Sequence, residues 1–459
     1  MSKTFDAIII GAGQAGPPLA DRLTRAGMSV ALIERNLFGG TCVNTGCTPT
    51  KTLVASAYAA HLARRGGEYG VLIDRPVRID MPRAKARADQ VSTDSRNSVR
   101  SWLDGMSGCT VYEGHACFEA SHTVRVGEAV LSAPKIFINV GGRAIRPPLS
   151  GIDAVTTLNN SSILKLTTVP EHLVIVGGSY IGLEFAQMYR RFGAAVTVVE
   201  KGPYLLSHED ADICGSIRSI LEAEGIVVHT NAECIRLAPH EKGITVGVSC
   251  AEGPPEVTGS HVLLAVGRRP NTDDLGLDKA GVAMDARGYI QVDDGLATNV
   301  PGIWALGDCN GRGAFTHTAY NDFEIVAANL LDGEQRRVSD RIPGYALYID
   351  PPLGRVGMTV SQAKAAGHSI LVGTRPMQRV SRAREKGETQ GLMKVVVDAQ
   401  TRKILGAAIL GTGGDEAIHS VLDIINAGVP YTALQRAVPI HPTVSELIPT
   451  VLGELQPLA

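Results

Sequence analysis

The start of the chain alternates apolar runs with a glycine-rich turn in an order that predicts a β–α–β unit. An apolar run at 7–10 leads into GAGQAG at 11–16, and a helical stretch follows at 17–26. A second apolar run, 30–33, ends at Glu34. Short apolar runs bounded by turn residues are typical of buried strands, and a helix between two of them allows the strands to be parallel. We therefore expect a strand, a tight turn, a helix and a second parallel strand.

The same order recurs once, much later in the chain. Residues 173–176 form an apolar run, GGSYIG follows at 177–182, a helical stretch covers 183–193, and 196–199 lead to Glu200. A single repeat at such a distance indicates a duplicated binding module rather than a solenoid, whose repeats follow one another directly.

The remaining segments complete these two units and add a third. Helices are predicted over 50–105, short strands over 109–140, and a strand at 263–267 that closes the second unit. Within 345–459, strands such as MKVVVD alternate with an amphipathic helix, DEAIHSVLDIINAG. The length of 459 residues fits three domains at about 150 residues each. The pattern predicts an α/β protein with two Rossmann-like dinucleotide-binding domains and a C-terminal α+β domain.

Composition narrows the setting in which such a protein works. Lys and Arg number 44 and Asp and Glu 46, and the resulting net charge of -2 offers no basic surface for nucleic acid. No apolar stretch reaches the ~18 residues of a membrane-spanning helix. The N-terminus runs into the first strand without the apolar core and cleavage site of a secretion signal. We therefore expect a cytoplasmic protein that binds neither nucleic acid nor membrane.

The first glycine motif, Gly11-x-Gly13-x-x-Gly16, has the spacing that a dinucleotide pyrophosphate needs. The first glycine allows a tight turn, the second lets the backbone approach the phosphates, and the third lets helix and strand pack closely. The helix N-terminus supplies N–H groups for the anion, and Glu34 accepts from a ribose hydroxyl. Such a motif also occurs in simple loops, but the strand, helix and acid around it predict a dinucleotide site.

The second glycine motif keeps part of this pattern. Its glycines are Gly177, Gly178 and Gly182. Ser179 takes the middle position, and Glu200 repeats the acid. A carboxylate there favours the free 2′-hydroxyl of NADH over the 2′-phosphate of NADPH, although the adjacent Lys201 weakens that preference. A solvated charge at a strand end is the alternative interpretation of Glu200. Two such sites in one chain suggest one nucleotide that is held and one that is exchanged.

Cys42 and Cys47 follow the first unit directly, within GGTCVNTGCTPTK at 39–51. A slightly opened helical turn brings two sulfurs at this spacing together, and such a pair suits thiol–disulfide exchange, in which one thiol attacks and the other resolves. By spacing alone, two unrelated buried cysteines would be the better interpretation; the flanking glycines and the TPTK segment favour a redox pair. The other cysteines are widely spaced and are expected to be small buried hydrophobes: Cys109, Cys117, Cys214, Cys234, Cys250 and Cys309.

Four segments, in this order, resemble the signatures of one family. GGTCVNTGCTPTK is similar to a redox-disulfide signature, GGSYIGLE to a pyridine-nucleotide motif, ATNVPGIWALGD to a second flavin motif, and HPTVSE (441–446) to a C-terminal His–Glu signature. Over essentially its whole length the chain resembles the flavin-dependent pyridine nucleotide–disulfide oxidoreductases, which include dihydrolipoamide dehydrogenase, glutathione reductase and mercuric reductase. The resemblance implies FAD on the first unit and NADH or NADPH on the second, with a preference for NADH.

The resemblance also assigns roles to individual residues that bind the cofactors. It implies that Glu34 contacts the adenosine ribose of FAD, that Asp308 contacts its ribityl chain, and that Tyr180 covers the nicotinamide pocket. Further cofactor-binding residues are expected at Gly40, Thr41 and Gly267.

For the redox centre, the resemblance implies that Cys47 is the charge-transfer thiol against the flavin and that Cys42 is the interchange thiol that faces the substrate. Lys51 matches the lysine near flavin N5, and Glu184 is its partner. A cation there stabilises the negative charge of the reduced flavin.

His441 and Glu446 are similar to the acid–base dyad of the family. An imidazole shuttles protons near neutral pH, and a carboxylate orients the ring. In the family this histidine comes from the partner subunit, so the resemblance implies a homodimer. The implied domains are 1–155 with 275–343 for FAD, 156–274 for NAD(P)H, and 344–459 for dimerisation.

The implied function is a flavoprotein disulfide reductase that passes electrons from NAD(P)H through FAD to the Cys42–Cys47 disulfide and on to a small oxidised substrate. Mercuric reductases usually carry a C-terminal cysteine pair, whereas Cys309 is the last cysteine here. A disulfide or a reactive oxidant is therefore favoured over a metal ion, and no metal site is expected. TPTK differs from the IPSK usual in dihydrolipoamide dehydrogenases, and FTHTAYND (315–322) looks more like the reactive-chlorine-resistance branch. The alternatives are a dihydrolipoamide dehydrogenase that uses NAD, and a complex-bound or redox-sensing flavoprotein with little turnover.

Overall fold

Two all-parallel sheets form the centres of the two dinucleotide-binding units. The computed structural model describes residues 3–232, 235–248 and 256–458. The first sheet has the strand order Ile303–Ala305, Lys135–Ile138, Ala7–Ile10, Val30–Glu34 and Cys109–Glu113. The second has the order Val227–His229, Ala195–Val199, His172–Val176 and His261–Leu264. Their central strands are mostly apolar because helices and loops cover both faces of a parallel sheet, although Thr197 lies buried within Ala195–Val199.

Both predicted β–α–β units are present. The helix Gly16–Arg25 begins inside the first glycine turn, and Tyr180–Phe192 begins inside the second. The strand predicted at 263–267 ends earlier, at Leu264. Beyond that point the chain leaves the sheet and crosses to the first unit, where Arg268–Pro270 pairs with Gly142–Ala144.

Antiparallel strands make up the other sheets. A sheet beside the first unit contains Lys3–Thr4, Ala129–Ser132, Thr123–Val126 and Ala116–Ala120, with the first pair parallel. A sheet beside the second unit contains Arg236–His240, Gly243–Gly247 and Glu256–Gly259. The C-terminal sheet has the order Gly344–Leu347, Leu353–Gly357, Ile404–Leu410, Leu392–Asp398, Ile370–Pro376 and Gln456–Pro457.

Helices connect and cover these sheets. The remaining α-helices are Gly40–Thr45, Cys47–Arg64, Met81–Asp104, Ala211–Ala223, Leu277–Ala280, Thr316–Ala327, Val360–Ala365, Ser381–Glu385, Gly414–Ala417, His419–Ala427, Thr432–Gln435 and Ile448–Gly453. The amphipathic helix expected over the DEAIHSVLDIINAG segment is thus divided at Ile418. Among the described residues, no helix has the length and apolar character needed to cross a membrane.

The largest hydrophobic core joins the second unit to the helix that carries Cys47. Leu53 and Ala57 of Cys47–Arg64 pack in one cluster with Leu183 and Tyr189 of the second unit and with Leu353 of the C-terminal sheet. This packing holds the start of the redox helix against the helix Tyr180–Phe192. The strand Ile303–Ala305 returns to the first sheet after the second unit is complete; the predicted domain boundaries themselves stay predictions.

Candidate active site

A cavity of about 950 Å³ extends from the first glycine turn to the two cysteines. The predicted residues that line it are Gly11, Gly13, Glu34, Gly40, Thr41, Cys42, Cys47, Lys51, Tyr180, Glu184 and Asp308. The other predicted residues lie outside its lining: Gly16, Gly177, Gly178, Gly182, Glu200, Gly267, His441 and Glu446.

The first glycine turn is packed so closely that its glycines have no room for a Cβ atom. Gly11 has a φ of 110°, and a Cβ there would lie 2.2 Å from the carbonyl oxygen of Asn139. A Cβ at Gly16 would lie 2.2 Å from the carbonyl oxygen of Gly11, and one at Gly40 would lie 2.9 Å from the Cα of Gly13. The open turn and the long cavity fit a dinucleotide such as FAD, because its pyrophosphate needs close approach to backbone N–H groups.

Glu34 is fixed at the edge of this turn. Its Oε2 accepts a hydrogen bond from the Ala12 N–H at 2.8 Å, and its Oε1 accepts one from the Asn36 N–H at 2.8 Å. The carboxylate therefore has a defined orientation at the strand end, where the ribose of a bound dinucleotide is expected.

Asp308 lies along the cavity in the short helical turn Gly307–Asn310. Burial raises the pKa of its carboxyl group, and Arg268 opposes that shift, with Nε 3.4 Å from Oδ2. Arg268 also lines the cavity. Sequence reasoning missed Arg268, whose only signal was its place directly after Gly267 in the GRRPN segment.

The buried carboxylate of Asp322 holds the turn Gly307–Asn310 in place through hydrogen bonds. It accepts hydrogen bonds from the Gly307 N–H at 2.8 Å and from the Asn310 side-chain amide at 2.9 Å. It also pairs with Arg341. Only 2% of Asp322 is exposed. Sequence reasoning missed it because its partners are separated from it in the chain.

The two cysteines are brought together by a break between two helices. Gly40–Thr45 ends before Gly46, and Cys47–Arg64 begins after it. A Cβ at Gly46 would lie 2.8 Å from the carbonyl oxygen of Thr41, so the tight passage requires glycine. Cys42 and Cys47 are free thiols in side-chain hydrogen-bond contact across this break.

The surroundings of the pair lower the pKa of one thiol and raise the pKa of the other. The hydrogen bond from Cys42, the Thr316 hydroxyl and the charge of Lys51 lower the pKa of Cys47 to about 6. The contact with Cys47 and partial burial raise the pKa of Cys42 far above the ordinary thiol range. The shifts have opposite directions and favour ionisation at Cys47 over ionisation at Cys42.

Lys51 and Glu184 form a partly buried ion pair beside the cysteines. Lys51 Nζ lies 2.7 Å from Glu184 Oε2, and Glu184 is 3% exposed. The other carboxylate oxygen, Oε1, accepts a hydrogen bond from the Tyr348 N–H at 3.1 Å. The Tyr348 ring centroid lies 4.8 Å from the lysine nitrogen, a cation–π contact. The pair connects the redox helix to the second unit; sequence reasoning missed Tyr348.

The second glycine turn repeats the close packing of the first. Gly177 has a φ of 112°, and a Cβ there would lie 2.4 Å from the carbonyl oxygen of Ala265. A Cβ at Gly182 would lie 2.2 Å from the carbonyl oxygen of Gly177. Gly267, with a φ of 125°, lies just beyond the last strand of this unit.

Glu200 holds the edge of the second turn as Glu34 holds the first. Its Oε2 accepts a hydrogen bond from the Gly178 N–H at 2.6 Å, and its Oε1 accepts one from the Gly202 N–H at 2.7 Å. Lys201 is exposed. Tyr180, the first residue of the following helix, stands at the cavity wall with its ring centroid 5.5 Å from that of Phe315.

His441 and Glu446 form a dyad on the surface of the chain. His441 Nδ1 lies 2.9 Å from Glu446 Oε2; His441 is 74% exposed and Glu446 13%. The neighbouring apolar residues are exposed as well, Val438 at 96% and Ile440 at 79%. The dyad is thus on the surface and does not line the cavity that contains the cysteines of its own chain.

The other cysteines fall into three groups. Cys214 and Cys309 are buried, as expected, and burial raises the pKa of both thiols. Cys109 and Cys117 are only half-buried; the small-hydrophobe prediction fails there because each lies on an outer strand of its sheet. Cys234 and Cys250 lie outside the described residues. Within the part of the chain that is described, no three His, Cys, Asp or Glu side chains are grouped to hold a metal ion.

Comparison with known families identifies the class of the protein. Residues 5–322 match the model of the pyridine nucleotide-disulphide oxidoreductases, and residues 343–452 match the dimerisation domain of the same family. The chain belongs to the pyridine nucleotide–disulfide oxidoreductase family.

Individual relatives share almost the full length. The chain is 38% identical over 451 residues to the probable pyridine nucleotide-disulfide oxidoreductase RclA of Escherichia coli, covering 96% of this chain and 97% of the relative. It is 32% identical to a mercuric reductase of Streptomyces lividans, covering 97% and 94%, and 32% identical to a dihydrolipoyl dehydrogenase of Thermus scotoductus, covering 97% and 96%.

Solved structures agree with the sequence relatives. The HOCl-induced flavoprotein disulfide reductase RclA from Escherichia coli superimposes with a TM-score of 0.89 at 37% identity, covering 98% of this chain and 99% of that one. A Cu(II) complex of the same protein gives 0.89 at 36%, covering 99% of each. These findings confirm the predicted family, the fold class and an oxidoreductase of a family that uses FAD and a pyridine nucleotide.

Proposed function

We propose that the protein is a homodimeric flavoprotein disulfide reductase that reduces a small oxidised substrate with electrons from NADH or NADPH. The observation that carries the proposal is the contact between two free thiols at the end of a cavity that starts at a dinucleotide cradle. Bound in that cavity, FAD would supply the two-electron step between the pyridine nucleotide and the sulfurs. Glu34 and Asp308 would hold it, and Lys51 would place a positive charge beside it.

The two cysteines divide the chemistry on a disulfide substrate. Cys42 loses its proton and attacks one substrate sulfur, forming a mixed disulfide and releasing the other substrate sulfur as a thiolate, which takes up a proton. Cys47, already a thiolate, then attacks the Cys42 sulfur. This second attack closes the Cys42–Cys47 disulfide and releases the remaining half of the substrate. His441, oriented by Glu446, would carry the protons.

We propose that His441 acts in the second copy of a dimer. The dyad does not line the cavity of its own chain, and the apolar Val438 and Ile440 beside it are exposed. Burial of these side chains against a second copy is favourable and would bring the histidine toward the other copy's cysteines. The domain boundaries follow the same scheme: 1–155 with 275–343, 156–274, and 344–459.

NADH is the proposed electron donor. Both carboxylate oxygens of Glu200 accept hydrogen bonds from backbone N–H groups, so the carboxylate has a fixed orientation and can accept a hydrogen bond from a ribose. A fixed carboxylate accepts from a ribose 2′-hydroxyl and repels a 2′-phosphate. Lys201 is exposed beside it, and its positive charge would favour NADPH.

The proposed substrate is a reactive oxidant or a small disulfide. The proposed location is the cytoplasm. The relative RclA is described as HOCl-induced, and one solved form of it as a Cu(II) complex; a metal ion is therefore the third substrate class to test. Dihydrolipoamide is the second candidate, because two relatives that are aligned over 96% of their own length are dihydrolipoyl dehydrogenases. Activity with dihydrolipoamide and NAD would favour that candidate.

An anaerobic titration with NADH and then NADPH, followed by visible absorbance, tests the proposal. We expect a long-wavelength thiolate-to-flavin band at two electrons in the wild type. Cys42→Ser, which has no disulfide to reduce, should show the band before any reduction, and Cys47→Ser should not show it at all. Cys109→Ser is the matched control, since Cys109 lies on a strand edge away from the cavity, and should behave as wild type. Direct bleaching of the flavin without the band and without cysteine dependence would contradict the proposal.

A further inference from the structure

Lys51 of the redox helix Cys47–Arg64 is held by two groups that come from other elements. Its Nζ lies 2.7 Å from Glu184 Oε2 and 4.8 Å from the ring centroid of Tyr348. All three residues line the cavity. A lysine side chain is flexible, and an ion pair that solvent reaches costs side-chain entropy to keep in one geometry. Because Lys51 is 32% exposed, the ring of Tyr348 supplies a second constraint on the ammonium.

The two groups that hold Lys51 are also bonded to each other. Glu184 Oε1 accepts a hydrogen bond from the Tyr348 N–H at 3.1 Å, while Oε2 contacts the ammonium. One buried carboxylate therefore fixes both the lysine and the backbone of the residue whose ring the lysine faces.

The segment that carries Tyr348 is bonded to one face of the helix Tyr180–Phe192. Gln187 and Arg191 follow Glu184 at spacings of three and then four residues, which places the three side chains on the same face. The Asp350 N–H donates to Gln187 Oε1 at 2.7 Å, and the Gln187 amide donates to the Asp350 carbonyl at 2.8 Å. Arg191 donates to Asp350 Oδ2 at 2.7 Å. Gln187 and Arg191 are both buried, so the position of Tyr348 is set by a packed helix face.

We propose that Tyr348 is a positioning residue that fixes the ammonium of Lys51 beside the flavin site through the face of its ring. The inference rests on the proposed function, because it concerns the positive charge that Lys51 would place beside FAD. The face of a neutral aromatic ring attracts a cation. Burial, and next the charge of Asp415, raise the pKa of the Tyr348 phenol, so the ring stays neutral. Phenylalanine at this position would fill the same role.

The first measurement follows Lys51 itself. In the oxidised holoenzyme carrying Cys42→Ser, acetylation of Lys51 by acetic anhydride is quantified by mass, relative to the exposed Lys279. Tyr348→Phe keeps the ring and removes the hydroxyl, whereas Tyr348→Leu and Tyr348→Met both remove the ring. Only the uncharged amine is acetylated, so loss of a contact that favours the ammonium should raise the rate. We expect a rise of about fivefold in the Leu and Met variants and a rate near that of the parent in the Phe variant.

The second measurement follows the consequence for bound FAD. The same Cys42→Ser parent has no disulfide, so the equilibrium between its flavin and a reference dye reports the flavin alone. A fixed positive charge favours the reduced, negatively charged flavin. We expect the equilibrium constant for flavin reduction to fall about fivefold in the Leu and Met variants, which is about 20 mV for a two-electron couple. The Phe variant should stay near the parent.

Tyr320→Leu is the matched control for the loss of a ring from the cavity wall. Tyr320 lines the same cavity and is 47% exposed, but its ring packs on Phe323 with the centroids 4.7 Å apart. Acetylation of Lys51 should be as in the parent. A similar rise in Tyr320→Leu would overturn the proposal, because a general opening of the cavity would then be the cause.

The remaining outcomes separate this proposal from the proposed function. Unchanged acetylation of Lys51 in both ring-free variants would overturn the role of Tyr348, and an equal rise in the Phe variant would assign the effect to the hydroxyl and overturn it as well. Faster acetylation with an unchanged flavin equilibrium would overturn the positioning of the charge beside FAD. Failure of the proposed function would be seen separately, in Cys42→Ser and Cys47→Ser enzymes that turn over substrate like the wild type.

Discussion

The two glycine turns of this chain are built alike. Gly11 and Gly177 both adopt positive φ, and a Cβ on either would meet a backbone carbonyl oxygen within 2.4 Å. Glu34 and Glu200 both accept hydrogen bonds from backbone N–H groups of their own turns. The same local design therefore places a closely packed glycine turn and a carboxylate with a fixed orientation at two places.

What differs is the structure around each turn. In the first unit, Gly40 of the redox segment lies against Gly13. Asp308, which comes much later in the chain, lines the same cavity. The glycines of the second turn lie outside the cavity, and Ser179 replaces the middle glycine. If each turn holds a phosphate as proposed, the segments packed over the turn decide how enclosed the nucleotide is. An enclosed site suits a cofactor that stays, and an open one suits a nucleotide that is exchanged.

The largest effect is expected from Gly11→Ala. The added Cβ would lie 2.2 Å from the Asn139 carbonyl oxygen, in a backbone with a φ of 110°. The strained conformation costs about 1–2 kcal/mol and the clash a further ~1–3 kcal/mol. We expect little bound flavin, measured by absorbance at the flavin maximum relative to protein, and a clearly lower Tm.

Two further glycines sharpen this test. Gly27 has a φ of 85° but has no atom within 4 Å of an added Cβ, so Gly27→Ala should keep its flavin and lose only about 1 kcal/mol. Gly177→Ala should keep flavin and lose affinity for the pyridine nucleotide. Equal flavin loss in Gly11→Ala and Gly27→Ala would contradict the cradle argument, because backbone strain alone would then explain it.

The glycine turns, their acids and the cysteine pair could be predicted because each is a local pattern. A turn needs glycine at fixed offsets, and a helix break at Gly46 lies between two cysteines that the sequence already places close together. The family resemblance extended these patterns to the fold, which the comparisons confirm.

The supporting residues could not be predicted because their partners are distant in the chain. Asp322 meets Gly307, Tyr348 meets Glu184 and Thr316 meets Cys47 only after folding. No spacing rule links such pairs. The strand predicted at 263–267 was too long for a related reason: the apolar run continues after Leu264, but the chain there leaves the sheet to pair with Gly142–Ala144.

An intermediate effect is expected from Asp322→Asn, which alters a support of the first unit. The substitution keeps one acceptor oxygen but removes the charge that pairs with Arg341, which is 13% exposed. Loss of a hydrogen bond to a charged, buried group costs about 2 kcal/mol. We expect flavin to dissociate more readily on dilution, followed by the recovery of free flavin fluorescence, with the KM for NADH unchanged.

The matched control for that variant is Asp332→Asn. Asp332 pairs with Arg22 at 2.7 Å, but the two side chains are 45% and 41% exposed, and exposed pairs contribute little. Flavin retention should be as in the wild type. A similar flavin loss in both variants would indicate a general effect of charge. It would contradict the idea that Asp322 retains flavin by holding the turn Gly307–Asn310.

The smallest of the three effects is expected from Glu200→Gln, which tests the second unit alone. Gln keeps an acceptor for one backbone N–H but loses the charge that favours a ribose hydroxyl over a phosphate. Loss of one charge-assisted hydrogen bond corresponds to about a tenfold rise in the KM for NADH, with kcat unchanged because ground state and transition state lose the same contact. NADPH should be affected less, so the kcat/KM for NADH divided by that for NADPH should fall.

Two further variants are controls for this prediction. Lys201→Met tests the neighbouring charge. Glu34→Gln should have the opposite effect: it should weaken flavin retention and leave the KM for NADH unchanged. If Glu200→Gln instead released flavin, the two turns would not act as separate sites, because a change at the open one would have reached the enclosed one.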